Sequence, residues 1–316
     1  NSSYYALIGV TNNSYNNYTI HENTRIIADS AFYNCSRVRS LVFPDNVTSI
    51  GSKVIYYNGN LISVVIGESV TTIGDYAFYE CDKLVEVVNK STTIEVTRGD
   101  TSNGYVGYYA LAVYNSNDTF ESKLSIDNEY IVYTDTDDKV LLAYTGVETD
   151  LVLPSYITRI HQSALANCSM TSVVIPDNVT MIGDYAFYEC ESLINVKIPD
   201  SVIRIGMYAF KNCDSLMSVV IGDSVTTICH MAFHNCENLT SIVIGDSVTT
   251  IDSAVFTYCS MEIVYYKGTV SDWNKIYKGS ENSAFISAKR YYYSESKPTT
   301  SENFWHYDEN GEIAIW

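Results

Sequence analysis

One phrase recurs along this chain every 23 residues, and that recurrence constrains the fold more than any other feature. Residues 216–236 read LMSVVIGDSVTTICHMAFHNC, and residues 193–213, 239–259 and 61–81 repeat the phrase with few changes. Cys190, Cys213, Cys236 and Cys259 lie 23 residues apart. A period this short predicts a solenoid, because one unit is too small to bury its own apolar face and must stack on its neighbours.

The phrase also predicts what each coil contains. Val219 and Ile221 lie two residues apart, which places them on one face of a strand predicted at 218–221. Equivalent strands of successive coils would then pair in a parallel sheet. A second extended piece is predicted at 225–228, and a single helical or 3₁₀ turn at 231–235 on the outer side. The positions expected in the core are Leu216, Val219, Ile221, Val225, Ile228, Ala232, Phe233 and Cys236.

The pattern L-x-S-V-x-I-P/G-D-S-V-T-x-I-G-x-x-A-F-x-x-C resembles the BspA-like branch of the leucine-rich-repeat proteins. The resemblance implies an α/β solenoid of 23-residue leucine-rich repeats with a parallel β-sheet. It also implies export to the surface of host-associated bacteria, and a role in adhesion and protein recognition. Because solenoids are scaffolds, the resemblance specifies the fold far better than the function.

The array is interrupted, and we expect four parts. These are an N-terminal cap with repeats (1–91), an inserted α+β segment (92–150), further repeats (151–268) and a C-terminal cap (269–316). In the insert, apolar residues from Tyr105 to Val113 recur at helical spacing and predict a helix, and residues 130–134 and 140–144 alternate as a β-hairpin.

The C-terminal part contains all three tryptophans, Trp273, Trp305 and Trp316. Ser271 is a candidate cap for a short helix at 270–277, a strand is expected at 289–294, and residues 305–316 read as a hairpin. Large side chains sealing the last coil are the favoured interpretation. The alternative is a platform on which a glycan stacks.

The negative net charge of the chain limits the classes of molecule that it can bind. Acidic residues outnumber basic ones by 37 to 19, for a formal net charge of −18. Such a surface repels nucleic acid, and the sequence contains no apolar run long enough for membrane insertion. The first residues resemble the start of a mature or trimmed chain, which is compatible with a secreted or bacterial cell-surface protein.

Seven of the eight cysteines occupy the repeat's own cysteine position, and only Cys229 lies elsewhere. A residue that recurs once per coil forms an internal ladder, and free cysteine behaves as a small buried apolar residue. We therefore expect free thiols rather than disulfides.

Two columns of side chains should point outward from the repeated strand, one mainly serine and one mainly valine. The serine column is Ser40, Ser63, Glu86, Ser172, Asn195, Ser218, Ser241 and Glu262. The valine column is Val42, Val65, Val88, Val174, Lys197, Val220, Val243 and Val264. Either the valines reflect β-propensity, or this face binds a partner. The candidate ligand-binding residues here are Ser172, Val174, Asn195, Lys197, Ser218, Val220, Ser241 and Val243.

A second candidate contact is Arg98-Gly99-Asp100, the tripeptide that integrins read. It lies in a polar loop rich in Gly, Ser and Asn, which suits a ligand. An ordinary turn is the alternative, since three residues are a weak motif.

Two patterns imitate metal sites. An acidic column follows the strand (Asp45, Glu68, Asp177, Asp200, Asp223 and Asp246), but each carboxylate is expected to bind its own turn's backbone rather than Ca²⁺. Cys229, His230, His234 and Cys236 have a zinc-like spacing, yet the repeat directs Cys236 into the core. We therefore predict no metal and no cofactor.

No catalytic motif stands out, so the sequence predicts a non-enzymatic cell-surface or secreted protein. Its expected partner is an extracellular protein of the host matrix or of a cell surface, with a glycan as a further candidate. The contact would lie on the outward strand face or on the outer turns, where tyrosines recur. The alternatives are a structural spacer that presents another domain, and a hydrolase or glycan-binding module with its site in the insert or the C-terminal cap.

Overall fold

The computed structural model describes residues 5–10, 17–299 and 303–316. The chain divides into two compact units, residues 1–124 (unit 1) and residues 125–316 (unit 2). Parallel strands stacked one coil above the next build both units, so the predicted solenoid with parallel β-sheets is confirmed. The four-part domain division stays a prediction.

Unit 1 consists of two sheets made from short strands. The strands are, in chain order, β1 (Tyr5–Leu7), β2 (Asn17–Tyr18), β3 (Thr24–Ile27), β4 (Ser40–Val42), β5 (Ser49–Ile50), β6 (Ser63–Ile66), β7 (Thr72–Ile73), β8 (Glu86–Asn89) and β9 (Ala112–Tyr114). One sheet has the order β1-β3-β5-β7 and the other β2-β4-β6-β8-β9. Pairing is parallel, and in the second sheet residues 23 apart stand side by side, as in Val42 with Val65 and Val65 with Val88.

Unit 2 repeats this plan over more coils, and the division between the units falls inside β10. Its elements are β10 (Leu124–Asp127), β11 (Tyr130–Asp135), β12 (Asp138–Tyr144), β13 (Asp150–Val152), β14 (Arg159–Ile160), β15 (Ser172–Val174), β16 (Met181–Ile182), β17 (Asn195–Lys197), β18 (Arg204–Ile205), β19 (Ser218–Val220), β20 (Thr227–Ile228), β21 (Ser241–Ile244), β22 (Thr250–Ile251), β23 (Ile263–Tyr266), α1 (Val270–Lys275), β24 (Tyr277–Lys278), α2 (Ser283–Ser287), β25 (Lys289–Tyr293), β26 (Phe304–Tyr307) and β27 (Ile313–Ile315).

The strands of unit 2 form two nine-stranded sheets. One has the order β10-β11-β12-β14-β16-β18-β20-β22-β24, and the other, which we call the front sheet, has the order β13-β15-β17-β19-β21-β23-β25-β26-β27. The core lies between them. It contains the apolar positions that the repeat predicts, and in the coil of residues 216–236 all eight of them are buried.

The outer turn of each coil differs from the predicted helical turn at 231–235. Met231 and Asn235 have positive φ angles of 54° and 57°, which interrupt a helix. Their N–H groups donate to the next coil, to the carbonyl oxygens of Ser253 and Thr257, rather than to carbonyl oxygens four residues back in their own coil. The predicted turn is therefore present only in part. The His234 N–H donates to the Met231 carbonyl oxygen three residues back over 3.1 Å, as in a 3₁₀ turn, but no helix forms because alternate N–H groups bond to the next coil.

Phenylalanine rings form a column through the core of unit 2. The rings of Phe187, Phe210, Phe233, Phe256 and Phe285 lie 4.7, 5.1, 5.8 and 4.5 Å apart between successive centroids and are close to parallel. Four of the five occupy the same repeat position, and Phe285 of α2 continues the column into the cap. A side chain repeated at one position therefore becomes a continuous stack.

All eight cysteines are free thiols, as predicted, and seven of them are buried. The Sγ of Cys213 donates to the carbonyl oxygen of Phe187 over 3.2 Å, and Cys236 and Cys259 repeat the bond one and two coils later. We call the buried cysteines of this column the thiol ladder. In unit 1 Asn58 takes the cysteine position. Its buried amide donates to the carbonyl oxygen of Cys35 over 2.7 Å, so a polar side chain fits this column only because it is paired.

The helix predicted at 105–113 is wrong. The chain there forms a 3₁₀ turn, Asn103–Tyr105, and then strand β9, which pairs in parallel with β8. Gly104 has a φ of 64°, and a Cβ on it would lie 2.5 Å from the carbonyl oxygen of Gly74. Val106 and Ala110 are buried in the core of unit 1. This segment is therefore a lengthened coil of the solenoid.

The predicted hairpin is present as β11 and β12, with Asp135 opposite Asp138. Strand β12 then pairs in parallel with β14, so the hairpin extends a sheet of unit 2. The Arg159 guanidinium donates two hydrogen bonds to the carboxylate of Asp138, and the one from Nε to Oδ1 is 2.9 Å long. This pairing attaches the hairpin to the first regular coil.

The two ends differ in how far they match the predictions. The expected N-terminal cap at 1–17 lies partly outside the described residues. At the other end Thr269, not Ser271, caps α1, because the Thr269 hydroxyl accepts the N–H of Asp272 over 3.2 Å. Trp273 packs in the core beside Phe285, with 5.4 Å between ring centroids. Trp273 alone among the tryptophans belongs to that core.

Candidate functional site

The outward side of the front sheet carries the two columns that the sequence singles out. Backbone pairing places Ser172, Asn195, Ser218 and Ser241 in one row. It places Val152 next to Val174, and Lys197, Val220 and Val243 in consecutive strands of the second row. The structure thus brings together, on one sheet face, the eight residues that the sequence proposes there.

Polar side chains in the serine column bond to one another along the stack. The Ser172 hydroxyl donates to the Asp150 carboxylate over 2.8 Å, and the Ser218 hydroxyl donates to Oδ1 of Asn195 over 2.6 Å. Each bond joins two consecutive coils. These groups are therefore held in a fixed direction before any ligand arrives, which lowers the entropic cost of binding.

Exposure in the valine column falls steeply from one end to the other. The side chains of Val152 and Val174 are 62% and 56% exposed, and Lys197 is also exposed. Val220 is half-buried, and Val243 is only 2% exposed. Val243 therefore cannot contact a ligand directly, which corrects its place among the candidate binding residues.

The C-terminal segment buries Val243. Tyr265 pairs with Val243, and Tyr291 pairs with Tyr265, so these side chains share the outward face. Val243, Tyr291 and Trp305 form a small hydrophobic cluster separate from the core, with Tyr265 packed against it. We call Tyr265, Tyr291 and Trp305 the aromatic wall, since they close one end of the exposed face.

The strand register and the position of Trp305 at this end of the front sheet differ from two predictions made from the sequence. Ile263 and Tyr265, not Glu262 and Val264, continue the two columns, because the coil after Cys259 is one residue shorter than the coil before it. Val264 is consequently fully buried in the core. Trp305 covers the outside of the sheet rather than plugging its end. The only sequence signal for the wall is the density of aromatic residues after residue 264.

Beside the wall, Lys267 forms an ion pair with Asp223, with 2.7 Å between Nζ and Oδ1. Its ammonium also lies 5.8 Å from the centre of the Tyr307 ring. Burial by itself would lower the pKa of Lys267, but the hydrogen bond to Asp223 and the nearby negative groups raise it overall. In the described part of the chain no ion pair involves Lys197, so Lys197 is the available cation of the exposed face.

Unit 1 has a shorter version of the same face. Its row of Ser40 and Ser63 is joined by a hydroxyl–hydroxyl bond of 2.9 Å. Glu86, next in that row, is buried and accepts the Ser122 hydroxyl and the Lys123 N–H over 2.8 and 3.0 Å. Residues 122 and 123 therefore cross this face, and Glu86 serves to hold them.

The Arg98-Gly99-Asp100 tripeptide lies in an exposed turn of unit 1. Gly99 has a φ of 78°, and its N–H donates to the carbonyl oxygen of Gly107 over 2.8 Å. The Asp100 carboxylate accepts the N–H of Ser102 over 2.9 Å, and this hydrogen bond lowers the pKa of Asp100. The turn thus presents both charged side chains to solvent on a defined backbone.

In the structure, the residues of the two metal-like patterns have roles other than metal binding. The Asp200 carboxylate accepts the N–H of Asp223 in the next coil over 3.0 Å, rather than an N–H of its own turn. Asp45 does the same for Glu68 over 3.4 Å. Cys229 and Cys236 are buried. Among the described residues, no group of three or more His, Cys, Asp or Glu side chains is placed to hold a metal ion.

Within the described ranges, no helix has both the length and the apolar content that a membrane crossing requires.

Comparisons with known proteins agree with this architecture. The family model of the BspA type leucine rich repeat region matches residues 10–100 and 149–282 in six copies. No curated protein matches the chain.

Three solved structures of bacterial proteins are similar in fold. A leucine rich cell surface protein of Faecalibacterium prausnitzii has a TM-score of 0.55 and 25% identity, over 81% of this chain and 67% of the other. A leucine-rich repeat protein of Eubacterium ventriosum has a TM-score of 0.51 and 20% identity, over 91% and 86%. The pneumococcal vaccine antigen PcpA has a TM-score of 0.52 and 15% identity, over 89% and 71%.

The family match extends over more than half of the chain, and its two matched ranges contain the 23-residue coils of units 1 and 2. The stacked coils, the thiol ladder and this match agree with one another, and the chain belongs to the family of BspA-type leucine-rich-repeat proteins.

Proposed function

We propose that this protein is a non-enzymatic recognition protein of the bacterial surface, and that it binds an extracellular protein through the exposed part of the front sheet. The contact residues are Val152, Ser172, Val174, Asn195, Lys197, Ser218 and Val220. Membership of a repeat family supports a protein-binding role. The similarity at 25% identity to a cell surface protein of Faecalibacterium prausnitzii supports the location.

One observation carries the proposal: Val152 and Val174 stand side by side in paired strands, and each is more than half exposed. Because part of each side chain is already buried, covering the rest would gain about 1 kcal/mol apiece. The same two columns are covered farther along by the chain's own aromatic wall. The exposed part of the face therefore carries the same kinds of side chain as the part on which this protein packs its own aromatic residues.

The surroundings indicate what kind of partner fits. Lys197 lies in the valine column between Val174 and Val220 and offers a cation to an acidic side chain. The fixed hydroxyl and amide groups of Ser172, Asn195 and Ser218 run parallel to the valines. An extended segment of a protein, with apolar side chains and one carboxylate, would satisfy both rows. A glycan would offer the two valines less apolar area than apolar side chains do.

Biolayer interferometry over an immobilised extract of host extracellular matrix tests this surface. Val174→Lys should weaken binding by about tenfold or more, because it places a charge in a desolvated contact. The matched control is Ile203→Lys, which also replaces a side chain that is about half exposed, at 54%, but off the front sheet.

Equal binding by the wild type and the Val174→Lys variant would remove the front sheet from consideration. If the wild type bound nothing in matrix extract or on host cells, the spacer interpretation would replace recognition.

The exposed Arg98-Gly99-Asp100 turn favours a second contact, with integrins of host cells. Asp100→Glu keeps the charge but moves the carboxylate, and it should reduce attachment of integrin-bearing cells to the immobilised protein. Asp118→Glu is the control, since Asp118 also accepts a backbone N–H in an exposed turn, over 2.7 Å from Asn115. Equal attachment to both variants would leave the tripeptide as an ordinary turn.

A further inference from the structure

Unit 1 carries a continuous surface of tyrosine rings on its outer turns. We call it the tyrosine surface and define it as Tyr56, Tyr57, Tyr76, Tyr79, Tyr105 and Tyr108. The rings touch in sequence: Tyr57 to Tyr56 at 4.3 Å, Tyr56 to Tyr79 at 5.6 Å, Tyr79 to Tyr105 at 5.1 Å, and Tyr105 to Tyr108 at 5.6 Å between centroids. Tyr76 stacks on Tyr105 at 5.6 Å.

Much of this aromatic area is open to solvent. Tyr57, Tyr76 and Tyr108 are 62%, 46% and 44% exposed. Contacts between the rings fix their directions, so little side-chain entropy remains to be lost on binding. Tyrosine supplies rigid contact area of this kind at recognition surfaces. The rings therefore form a prepared surface rather than six separate side chains.

The charges beside the rings are mainly negative. Glu80 follows Tyr79 directly. The Glu80 carboxylate accepts a hydrogen bond from the Tyr79 hydroxyl, and this bond raises the pKa of Tyr79. Asp75 precedes Tyr76 and is exposed. The face of an aromatic ring is itself a region of negative potential. Rings and carboxylates together attract a cation and repel an anion.

The chain already places its own cations on rings of the outer turns. The ammonium of Lys53 lies 5.5 Å from the centre of the Tyr56 ring. In unit 2, Lys211 lies 5.4 Å from the centre of the Tyr208 ring, on an equivalent turn. In unit 1 Tyr76 holds the repeat position of Tyr208 and Tyr79 holds that of Lys211, so the Tyr76 ring lacks the internal lysine that Tyr208 has.

From this geometry we propose that the tyrosine surface binds a lysine- or arginine-bearing segment of a partner protein, with ammonium or guanidinium groups over the rings of Tyr57 and Tyr76. The neighbouring carboxylates of Glu80 and Asp75 supply the opposite charge. This contact is separate from the front sheet of unit 2 and does not depend on it.

Fluorescence anisotropy with the full chain and a labelled peptide of alternating lysine and serine, at low ionic strength, tests the proposal. The double variant Tyr57→Asn with Tyr76→Asn should bind about tenfold more weakly, the loss expected for two cation–π contacts. Its control is Tyr258→Asn with Tyr185→Asn. Both pairs occupy the same two turn positions at the same positive φ, 59° and 56° in unit 1 against 61° and 56° in unit 2.

Neither double variant changes the net charge, so the attraction of the acidic chain for a basic peptide is the same in both. A second comparison separates the ring from its hydroxyl. The double variant Tyr57→Phe with Tyr76→Phe should keep the affinity, because the rings remain. Two further tests address charge: Glu80→Gln should weaken binding of the lysine peptide, and a peptide of Nε-acetyl-lysine should not bind.

Three results would overturn the proposal: equal affinity for the two asparagine variants, retained binding of the acetylated peptide, or loss of binding in the phenylalanine variant. Binding of cellohexaose that required Tyr57 and Tyr76, without binding of the lysine peptide, would assign the surface to a glycan instead. Melting temperatures of all variants identify any that fail to fold, and the phenylalanine and Glu80→Gln variants then decide the outcome.

Discussion

Trp305 donates its indole N–H to the carbonyl oxygen of Tyr266, over 3.2 Å, although the two residues are 39 positions apart. This bond fixes the Trp305 ring of β26, one of the last strands of the front sheet, on the outward side of that sheet. It holds the aromatic wall over Val243 and so determines where the exposed face ends. One hydrogen bond and one buried ring thus divide the valine column into a covered part and an open part.

Replacing Trp305 with Ala should lower the free energy of unfolding by about 3–5 kcal/mol, because a fully buried aromatic side chain is lost. Urea denaturation measures the change. Trp316→Ala is the control: Trp316 is partly exposed, stacks on His306 and should cost much less. Similar losses for the two variants would show that the wall does not depend on Trp305.

Asn58 and Asn60 make the same type of bond in different surroundings. Each donates its amide to a carbonyl oxygen of the preceding coil over 2.7 Å, but Asn58 is buried and Asn60 is exposed. Asn58→Ala should cost about 1–3 kcal/mol of unfolding free energy, because a buried carbonyl loses its partner. Asn60→Ala should cost under about 0.5 kcal/mol, since water replaces the bond at a surface position. Equal costs in denaturant titrations would contradict the burial argument.

The thiol ladder makes stability depend on pH in alkaline solution. Burial raises the pKa of Cys213 from its ordinary 9.0 to about 12. The unfolded chain therefore releases this proton first, and stability falls as the pH rises from 9 towards 12. The Cys213→Ala variant should lose part of that pH dependence, as followed by denaturation at several pH values.

The same burial predicts slow chemistry at the ladder. Iodoacetamide at mildly alkaline pH should leave Cys213 and Cys236 unmodified in the native protein and alkylate them in denaturant, because the thiolate is the reactive form. Peptide mapping by mass spectrometry distinguishes the sites. Rapid native labelling of Cys213 would mean that the coils open locally.

Residues with positive φ recur twice in each outer turn, and some are poorly suited to that conformation. Tyr258 has a φ of 61° and is largely exposed, whereas its counterparts Asn212 and Asn235 are asparagines. Because asparagine tolerates the left-handed region better, Tyr258→Asn should raise the free energy of unfolding by about 0.5–1 kcal/mol. The control is Tyr33→Asn, at an exposed outer-turn position outside the set of positive-φ residues, which should not be stabilised. Thermal denaturation compares them.

The sequence predicts the interior well because each coil states the same pattern. Leu216, Val219, Phe233 and Cys236 are buried as their spacing predicts. It predicts the outer turn only in part, since a helix-like spacing at 231–235 looks the same whether N–H groups bond within the coil or to the next one. It also misplaces the columns after Cys259, where one missing residue shifts the register and reverses which side chain faces inward.

The sequence by itself determined that identical short coils must stack, because none of them could bury its apolar side chains alone. Repetition then made every inward position predictable from any other copy. Only the tertiary structure decided which outward positions remain available: Val174 is open and Val243 is closed, although both follow the same pattern in their strands. The reason is that Trp305 reaches Val243 from a distant segment, and a contact between distant residues leaves no trace in a local period.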